Sequence, residues 1–326
     1  MKEVIFSGMR PTGRLQLGNL FGALENWVQL QEAGHTCFYC VVDWHALTTA
    51  YDEPGDIKQN INEIVMDWLS AGLEPDKSII FRQSDVKEHA ELHLLFSMFA
   101  PLSWLERCPT YKDQIKQIEH TDLATYGFLG YPLLQAADIL LYKGTAVPVG
   151  EDQAPHIELT REISRRFNHL YKRVFPEPKT FLNEYKLIPG LDGRKMSKSY
   201  GNTINLSANA TEISEKVRQM VTDPQRIRKN DPGNPDVCTV YKFKGIFNDP
   251  DREEYAAACR AGSIGCVQCK KHLAEKMTSS LSPLYEKRQK LQNDSSYIKD
   301  ILASGAAKAR SVAQETMEEV RGVMGL

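Results

Sequence analysis

The feature that most constrains this chain is an alternation of short apolar runs with helical periodicity over roughly its first hundred residues. Val4-Ile5-Phe6 reads as a buried strand and runs into a loop rich in Gly and Pro from Gly8 to Gly13. Leu20, Leu24, Trp27, Val28 and Gln31 then recur at helical spacing. Cys37 to Val42 is a second strand, ending at Asp43-Trp44-His45; Ile57, Ile61, Ile64, Val65 and Trp68 mark the next helix, and Ser78 to Phe81 the next strand. Asp85 with Glu88 three residues on predicts a capping box opening a helix towards Phe99. Strands and helices in this order imply an α/β fold with a doubly wound, parallel, Rossmann-like sheet, whose ligands sit at the carboxyl ends of the strands.

Past about Leu206 the strand signal fades and helical patterns dominate, interrupted by Asp231-Pro-Gly-Asn-Pro235. The division expected is an α/β domain over 1–205, with a connecting segment near 101–128, and a C-terminal, mostly helical domain over 206–326. A chain of 326 residues is long enough for both. The formal net charge of −2 gives no global field to draw in a polyanion, so any RNA contact must come from local patches such as Arg226-Ile227-Arg228-Lys229. MKEVIFSG lacks the length and flanks of a signal peptide, and no apolar stretch reaches membrane-spanning length. The expected compartment is the cytoplasm, where seven cysteines stay reduced.

Three motifs carry chemistry. Pro11-Thr-Gly-Arg-Leu-Gln-Leu-Gly-Asn19 lies between the first strand and first helix. Gly13 and Gly18 let backbone approach a ligand, and the new helix offers N–H groups and a positive dipole end to phosphate. Lys195-Met-Ser-Lys-Ser199 follows Asp192-Gly193-Arg194 in a polar loop, where two flexible ammonium groups can follow charge as a triphosphate becomes pyrophosphate. The third motif is Leu129 to Tyr142, a nearly all-apolar helix whose polar members Tyr131, Gln135, Asp138 and Tyr142 form one stripe. A buried carboxylate without a partner is costly, so Asp138 either has a protein partner or waits for a ligand donor; the surrounding motifs favour the ligand.

These motifs resemble the class I aminoacyl-tRNA synthetases and, more narrowly, the tryptophanyl family. The match runs through Ser7-Gly-Met-Arg-Pro-Thr-Gly13, Gly18-Asn19, Ala136-Ala-Asp-Ile-Leu-Leu-Tyr142, Gly150-Glu-Asp-Gln153 and Lys195 to Ser199, in the family's order. Gln16 and Asn19 stand where the class I signature usually has histidines, and Asn19 can still donate a hydrogen bond to phosphate. The resemblance implies adenylation: the tryptophan carboxylate attacks the α-phosphorus of ATP, with Mg²⁺ and lysines neutralising pyrophosphate, and the tRNA 3′ end then takes the acyl group.

By the same resemblance Lys195, Lys198, Asn19, Gln16 and Lys112 serve the reaction. ATP would lie against Arg10, Pro11, Thr12, Gly18, Asn19, Gly150, Glu151, Asp152, Ile188, Met196, Ser197 and Ser199 together with the two loop lysines. Asp138 would accept the indole N–H, Phe6, Val147 and Val149 would flank the ring, and Tyr131 and Gln153 would hold the α-ammonium; Gln135 and His45 complete the pocket. The implied partners are L-tryptophan, ATP and tRNA(Trp), with a symmetric homodimer as the assembly and an anticodon-binding role for the helical domain. A tyrosyl-tRNA synthetase is the nearest alternative, and a redox-responsive RNA-binding protein on the same fold is a further one. Ala-Ala-Asp-Ile-Leu and Gly-Glu-Asp-Gln favour tryptophan, and the complete lysine loop speaks against lost catalysis.

Cys238, Cys259, Cys266 and Cys269 give C-x20-C-x6-C-x2-C. Four thiolates with one close pair can enclose a [4Fe–4S] cluster or a tetrahedral zinc ion; zinc sites more often show two close pairs, so the spread spacing suits a cluster, with zinc as the alternative. A subset of bacterial tryptophanyl synthetases carries a similar pattern with [4Fe–4S]. Cys37 and Cys40 lie three apart in a strand and point to opposite faces, which predicts core packing. His89 and His93 share a helical face without a third ligand, and a structural role is expected for them.

Overall fold

The computed structural model describes residues 2–109, 111–112, 122–150, 153–182 and 188–326. Five strands, β1 (Val4–Met9), β2 (Thr36–Val41), β3 (Ser78–Arg82), β4 (Ala146–Val149) and β5 (Lys179–Leu182), form one parallel sheet in the order β3-β2-β1-β4-β5. β1 pairs with β2 from Val4↔Thr36 to Met9↔Val41 and with β4 at Ile5↔Ala146. Chain order therefore reverses between β1 and β4, and a crevice opens at their carboxyl ends. The doubly wound sheet expected from the sequence is present. Its central strands are buried on both faces, which is why they read as continuous apolar runs and not as alternations. β5, four residues long, is not among the runs the sequence marks.

The helices that position the site follow from local sequence. The turn α1 (Leu17–Asn19) runs through a π-helical segment, Leu20–Leu24, into α2 (Glu25–Glu32). α3 (Asp43–Leu47) begins directly off β2, and α4 (Ile57–Ala71) ends at Gly72, whose φ of 118° suits only glycine well. Trp27 stacks on Tyr39 at 4.5 Å and meets Trp68 edge-on at 5.2 Å, tying α2, β2 and α4 together. Each such buried aromatic contributes about 1.5–3 kcal/mol.

α5 (Glu88–Ser97) begins without the expected capping box: Asp85 instead ends a 3-10 turn, Gln83–Asp85, and pairs with Arg82. α6 (Leu102–Glu106) and α7 (Tyr126–Leu129) precede α8 (Tyr131–Leu141), which is buried along most of its surface and correspondingly apolar outside the stripe of Tyr131, Gln135 and Asp138. α9 (Ala154–Leu170) follows β4. α10 (Ala210–Gln219), α11 (Thr239–Ile246), α12 (Arg252–Arg260), α13 (Cys266–Gln292) and α14 (Ser295–Met324) complete the chain.

The chain packs as two interleaved compact units. One comprises Met1–Gly13, Asn26–Glu184 and Asp294–Leu326; the other comprises Arg14–Glu25 and Tyr185–Asn293. The sequence reading draws a single boundary at 205/206, and the packing draws it differently at both ends. α14 belongs with the sheet because its small residues admit β3: a Cβ at Gly305 would overlap the Ile80 carbonyl, and Ala306, Ala309 and Ala313 are buried beside it. Arg310 donates to the Asp85 carbonyl at 2.5 Å, and Arg321 grips Glu91 through two bonds of 2.8 and 2.7 Å. α14 so covers an edge strand that would otherwise present unpaired backbone. In the other unit α10 opens with a capping box between Asn209 and Glu212 and lies along α13. Among the described residues no helix is long and apolar enough to cross a membrane.

Candidate active site

The segments that follow β2 and β3 converge on one carboxylate of α8. Asp138 is 1% exposed and has four hydrogen-bond contacts. Gln83 Nε2 bridges both oxygens at 2.8 and 2.9 Å, His89 Nδ1 donates to Oδ1 at 2.6 Å, and His45 Nε2 donates to Oδ2 at 2.9 Å. The expectation of a carboxylate waiting for a ligand donor is thereby corrected: the ligand-free protein satisfies Asp138 with its own side chains. Burial pushes the Asp138 pKa up, but the charge of His89 and the hydrogen bonds from His45 and His89 outweigh it, holding the carboxyl well below its usual range. An ionised carboxylate only accepts, so both imidazoles present N–H to it. His89 Nε2 meets the Tyr142 hydroxyl at 2.7 Å, and burial raises the pKa of that phenol. Neither His89 nor Gln83 stood out in the sequence as a pocket residue, because each reaches Asp138 from a different element.

Phe6 and Val147 are buried in one core with Val149. Phe6 stacks on Tyr142 at 5.6 Å with an interplanar angle of 8°. Gln135 is half-buried on the same helix. Tyr131 and Gln153 are joined through a residue the sequence did not single out: the Tyr131 hydroxyl lies 3.0 Å from His156 Nε2, and His156 Nδ1 lies 2.8 Å from Gln153 Oε1. The i, i+3 spacing of Gln153 and His156 at the start of α9 was the available signal. Glu151 and Asp152 lie outside the described residues.

The first motif is divided between the two units. Arg10, Pro11 and Thr12 go with the sheet, where Arg10 Nη1 donates to Thr49 Oγ1 at 3.2 Å. Gln16, Gly18 and Asn19 go with the other unit and cap one another: Gln16 N–H donates to Asn19 Oδ1 at 3.0 Å, and Gly18 N–H to Gln16 Oε1 at 3.3 Å. That turn is pinned to the segment after the lysine loop by Leu17 N–H to Ile204 O and Leu206 N–H to Leu15 O, both 2.9 Å.

The lysine loop itself is built on Asn202. Its Oδ1 accepts Ser197 N–H at 2.8 Å, while its Nδ2 donates to Asp192 Oδ1 at 2.8 Å and Lys195 O at 3.2 Å. Only glycine fits at 190, because a Cβ there would overlap the Asn202 amide. Met196 is buried as the loop's anchor, and its N–H donates to Ile188 O at 3.0 Å; Lys195, Lys198 and Ser199 are exposed. The scaffold thus holds a fixed backbone and presents its ammonium groups outward. Lys112 is exposed and its neighbours on the C-terminal side lie outside the described residues.

Cys238, Cys259, Cys266 and Cys269 come together in the second unit, where α11, the end of α12 and the start of α13 meet. Burial pushes the Cys269 thiol up to about 12, against the opposing pull of Lys244, and raises Cys238 and Cys259 as well. Arg226 Nη1 points at the sulfurs of Cys259 and Cys266, 3.7 and 3.9 Å away, while Nη2 donates to the carbonyls of Lys229 and Ile264. Arg226 therefore faces inward and does not join Arg228 and Lys229 as an outward basic patch. Cys37, Cys40 and Cys108 are buried in the core, as expected for the first two.

A sequence profile described as tRNA synthetases class I (W and Y) matches residues 2–282. The chain is 54% identical over 324 residues to the tryptophan–tRNA ligase of Thermotoga maritima, covering 99% of each chain. It belongs to the tryptophanyl class I tRNA synthetases. A tryptophan–tRNA ligase of Aquifex aeolicus is 45% identical, again across 99% of each chain. Among solved structures, the tryptophanyl-tRNA synthetase of Campylobacter jejuni complexed with ADP and tryptophan superposes with a TM-score of 0.91 at 35% identity, covering 99% of this chain and 100% of that one.

Proposed function

We propose that this chain activates L-tryptophan with ATP and transfers it to the 3′ end of tRNA(Trp). The observation that carries the choice of amino acid is the buried, ionised Asp138 at the carboxyl edge of the sheet: a fixed acceptor paired with an N–H rejects rings lacking that donor far better than an apolar pocket does. Phe6, Val147 and Val149 would hold the indole faces, and the linked Tyr131, His156 and Gln153 the α-ammonium. The carboxylate oxygen of tryptophan forms a bond to the α-phosphorus as the bond to the pyrophosphate oxygen breaks. Lys195 and Lys198 stabilise the charge that gathers on the leaving group, so positioning and electrostatics suffice without a protein nucleophile. ATP enters with Mg²⁺ as substrate. The identity to tryptophan–tRNA ligases favours tryptophan over tyrosine. Pyrophosphate exchange with each amino acid tests this: exchange with tryptophan is expected, and exchange with tyrosine alone, or with neither, would refute it.

The four cysteines are proposed to hold a [4Fe–4S] cluster. The C-x20-C-x6-C-x2-C spacing, with a single close pair, favours a cluster over zinc, and Arg226 is placed to balance a cluster's negative charge. The cluster would act as a cross-link fixing three helix ends in the unit proposed to bind the anticodon. The chain is also proposed to form a homodimer in the cytoplasm; exposed Leu94 and Met98 share a face of α5, and Leu102 and Tyr126 are exposed nearby in sequence.

A further inference from the structure

Asp138 is engaged by three donor groups in four contacts, Gln83 Nε2 spanning both oxygens, His89 on Oδ1 and His45 on Oδ2, so an incoming ligand N–H competes with a donor already in place. Gln83 is fixed at both ends: its Nε2 spans the two oxygens, its Oε1 accepts Trp44 N–H at 3.2 Å, and the residue is fully buried. His89 is fully buried too, with Tyr142 on its second nitrogen and Phe81 beside its ring. His45 differs. It sits on the short helix α3, it is 8% exposed, and its bond to Oδ2 is the only side-chain hydrogen bond it makes among the described residues.

We propose that His45 is the exchangeable donor, occupying in the ligand-free protein the acceptor position that the indole N–H takes on binding. This rests on the tryptophan reading above and assigns it a residue of distinct role: His45 holds the Oδ2 position by its hydrogen bond, and leaves Asp138 when the ring enters. The carboxylate then stays satisfied in both states, which lets it be buried without an open acceptor. A ring of the same shape without the N–H would displace His45 and leave Oδ2 a donor short.

The test is calorimetric titration of L-tryptophan into the full-length protein, comparing wild type, His45→Ala and His45→Gln. His45→Ala has no donor to displace and leaves Oδ2 unpaired until the ligand arrives, so it should bind tryptophan more tightly, on the order of tenfold. His45→Gln restores an N–H and should return affinity to the wild-type value. Equal or weaker binding by a cooperatively folded His45→Ala protein would overturn the exchange. If that variant does not fold, ¹⁵N-histidine spectra of the wild type decide, with His45 assigned by its loss in His45→Gln. The His45 Nε2 resonance should move on adding tryptophan while that of His89 holds, and an unmoved His45 overturns the proposal. Wild-type protein that binds no tryptophan would defeat the underlying reading instead.

Discussion

The carboxylate pocket in the sheet unit and the four-cysteine corner in the helical unit both bury ionisable groups, and the protein treats them in opposite ways. Asp138 is ionised, with two imidazoles and an amide already turned towards it. Burial raises the thiol pKa values of Cys238, Cys259 and Cys269, the last to about 12, and the surroundings supply Arg226 and the backbone N–H groups of Val240 and Tyr241 at Cys238 as only a partial answer. Asp138 is satisfied by side chains of its own unit, whereas the buried thiols are held towards their protonated form. Under the functions proposed above the difference has a reason: a pocket that discriminates between substrates gains from a carboxylate that is always satisfied, and a structural cross-link does not need to be satisfied before its group binds.

The largest effect that would sharpen this contrast is expected from Asp138→Asn. The amide turns an N–H towards imidazole N–H groups, so the variant should lose about 3 kcal/mol of stability, read from denaturant midpoints. Its kcat/KM for tryptophan activation should fall on the order of a thousandfold. A variant as stable as wild type would mean the donors around Asp138 are not satisfying a charge.

Next come Lys195→Ala and Lys198→Ala, each expected to slow pyrophosphate exchange by about a hundredfold with little change in tryptophan affinity, since the loop meets phosphate and not the ring. A smaller effect, confined to the other unit, is expected from Cys266→Ser: iron content should drop and tRNA binding weaken by about tenfold, while tryptophan activation changes little. Normal tRNA binding by a folded, iron-free variant would separate the cysteines from RNA recognition.

The smallest effect is in pH. Asp138 has a folded pKa below its unfolded value of about 3.9, so its stabilisation is present above that value and is lost as pH falls through the lower folded one. The stability gap between wild type and Asp138→Asn should hold from pH 7 to 5 and narrow only below about pH 4. A gap closing near neutrality would assign the effect to the histidines.

The parallel sheet was legible in the sequence because its strands are written in contiguous stretches such as Val4 to Phe6 and Cys37 to Val42, and the Lys195 to Ser199 loop is contiguous in the same way. What stayed hidden comes from side chains that meet across elements. Gln83 follows β3, His89 lies on α5 and His45 on α3, and nothing local to any of them says that all three end on one carboxylate of α8. Asn202 was silent for the same reason, since its bonds to 192, 195 and 197 exist only once the loop is folded. The C-terminal helix was misplaced with the helical unit because periodicity shows that a helix has an apolar face and not what that face meets; Gly305 against Ile80 decides it. The cysteine spacing was fully visible, while the inward turn of Arg226, read from sequence as part of a basic surface patch, was not.

The most direct measurement is pyrophosphate exchange by wild type and Asp138→Asn with two substrates, L-tryptophan and the isostere carrying sulfur in place of the indole N–H. If Asp138 reads that N–H, wild type prefers tryptophan by on the order of a hundredfold or more, and the preference collapses towards parity in the variant. The same preference in both proteins would contradict it.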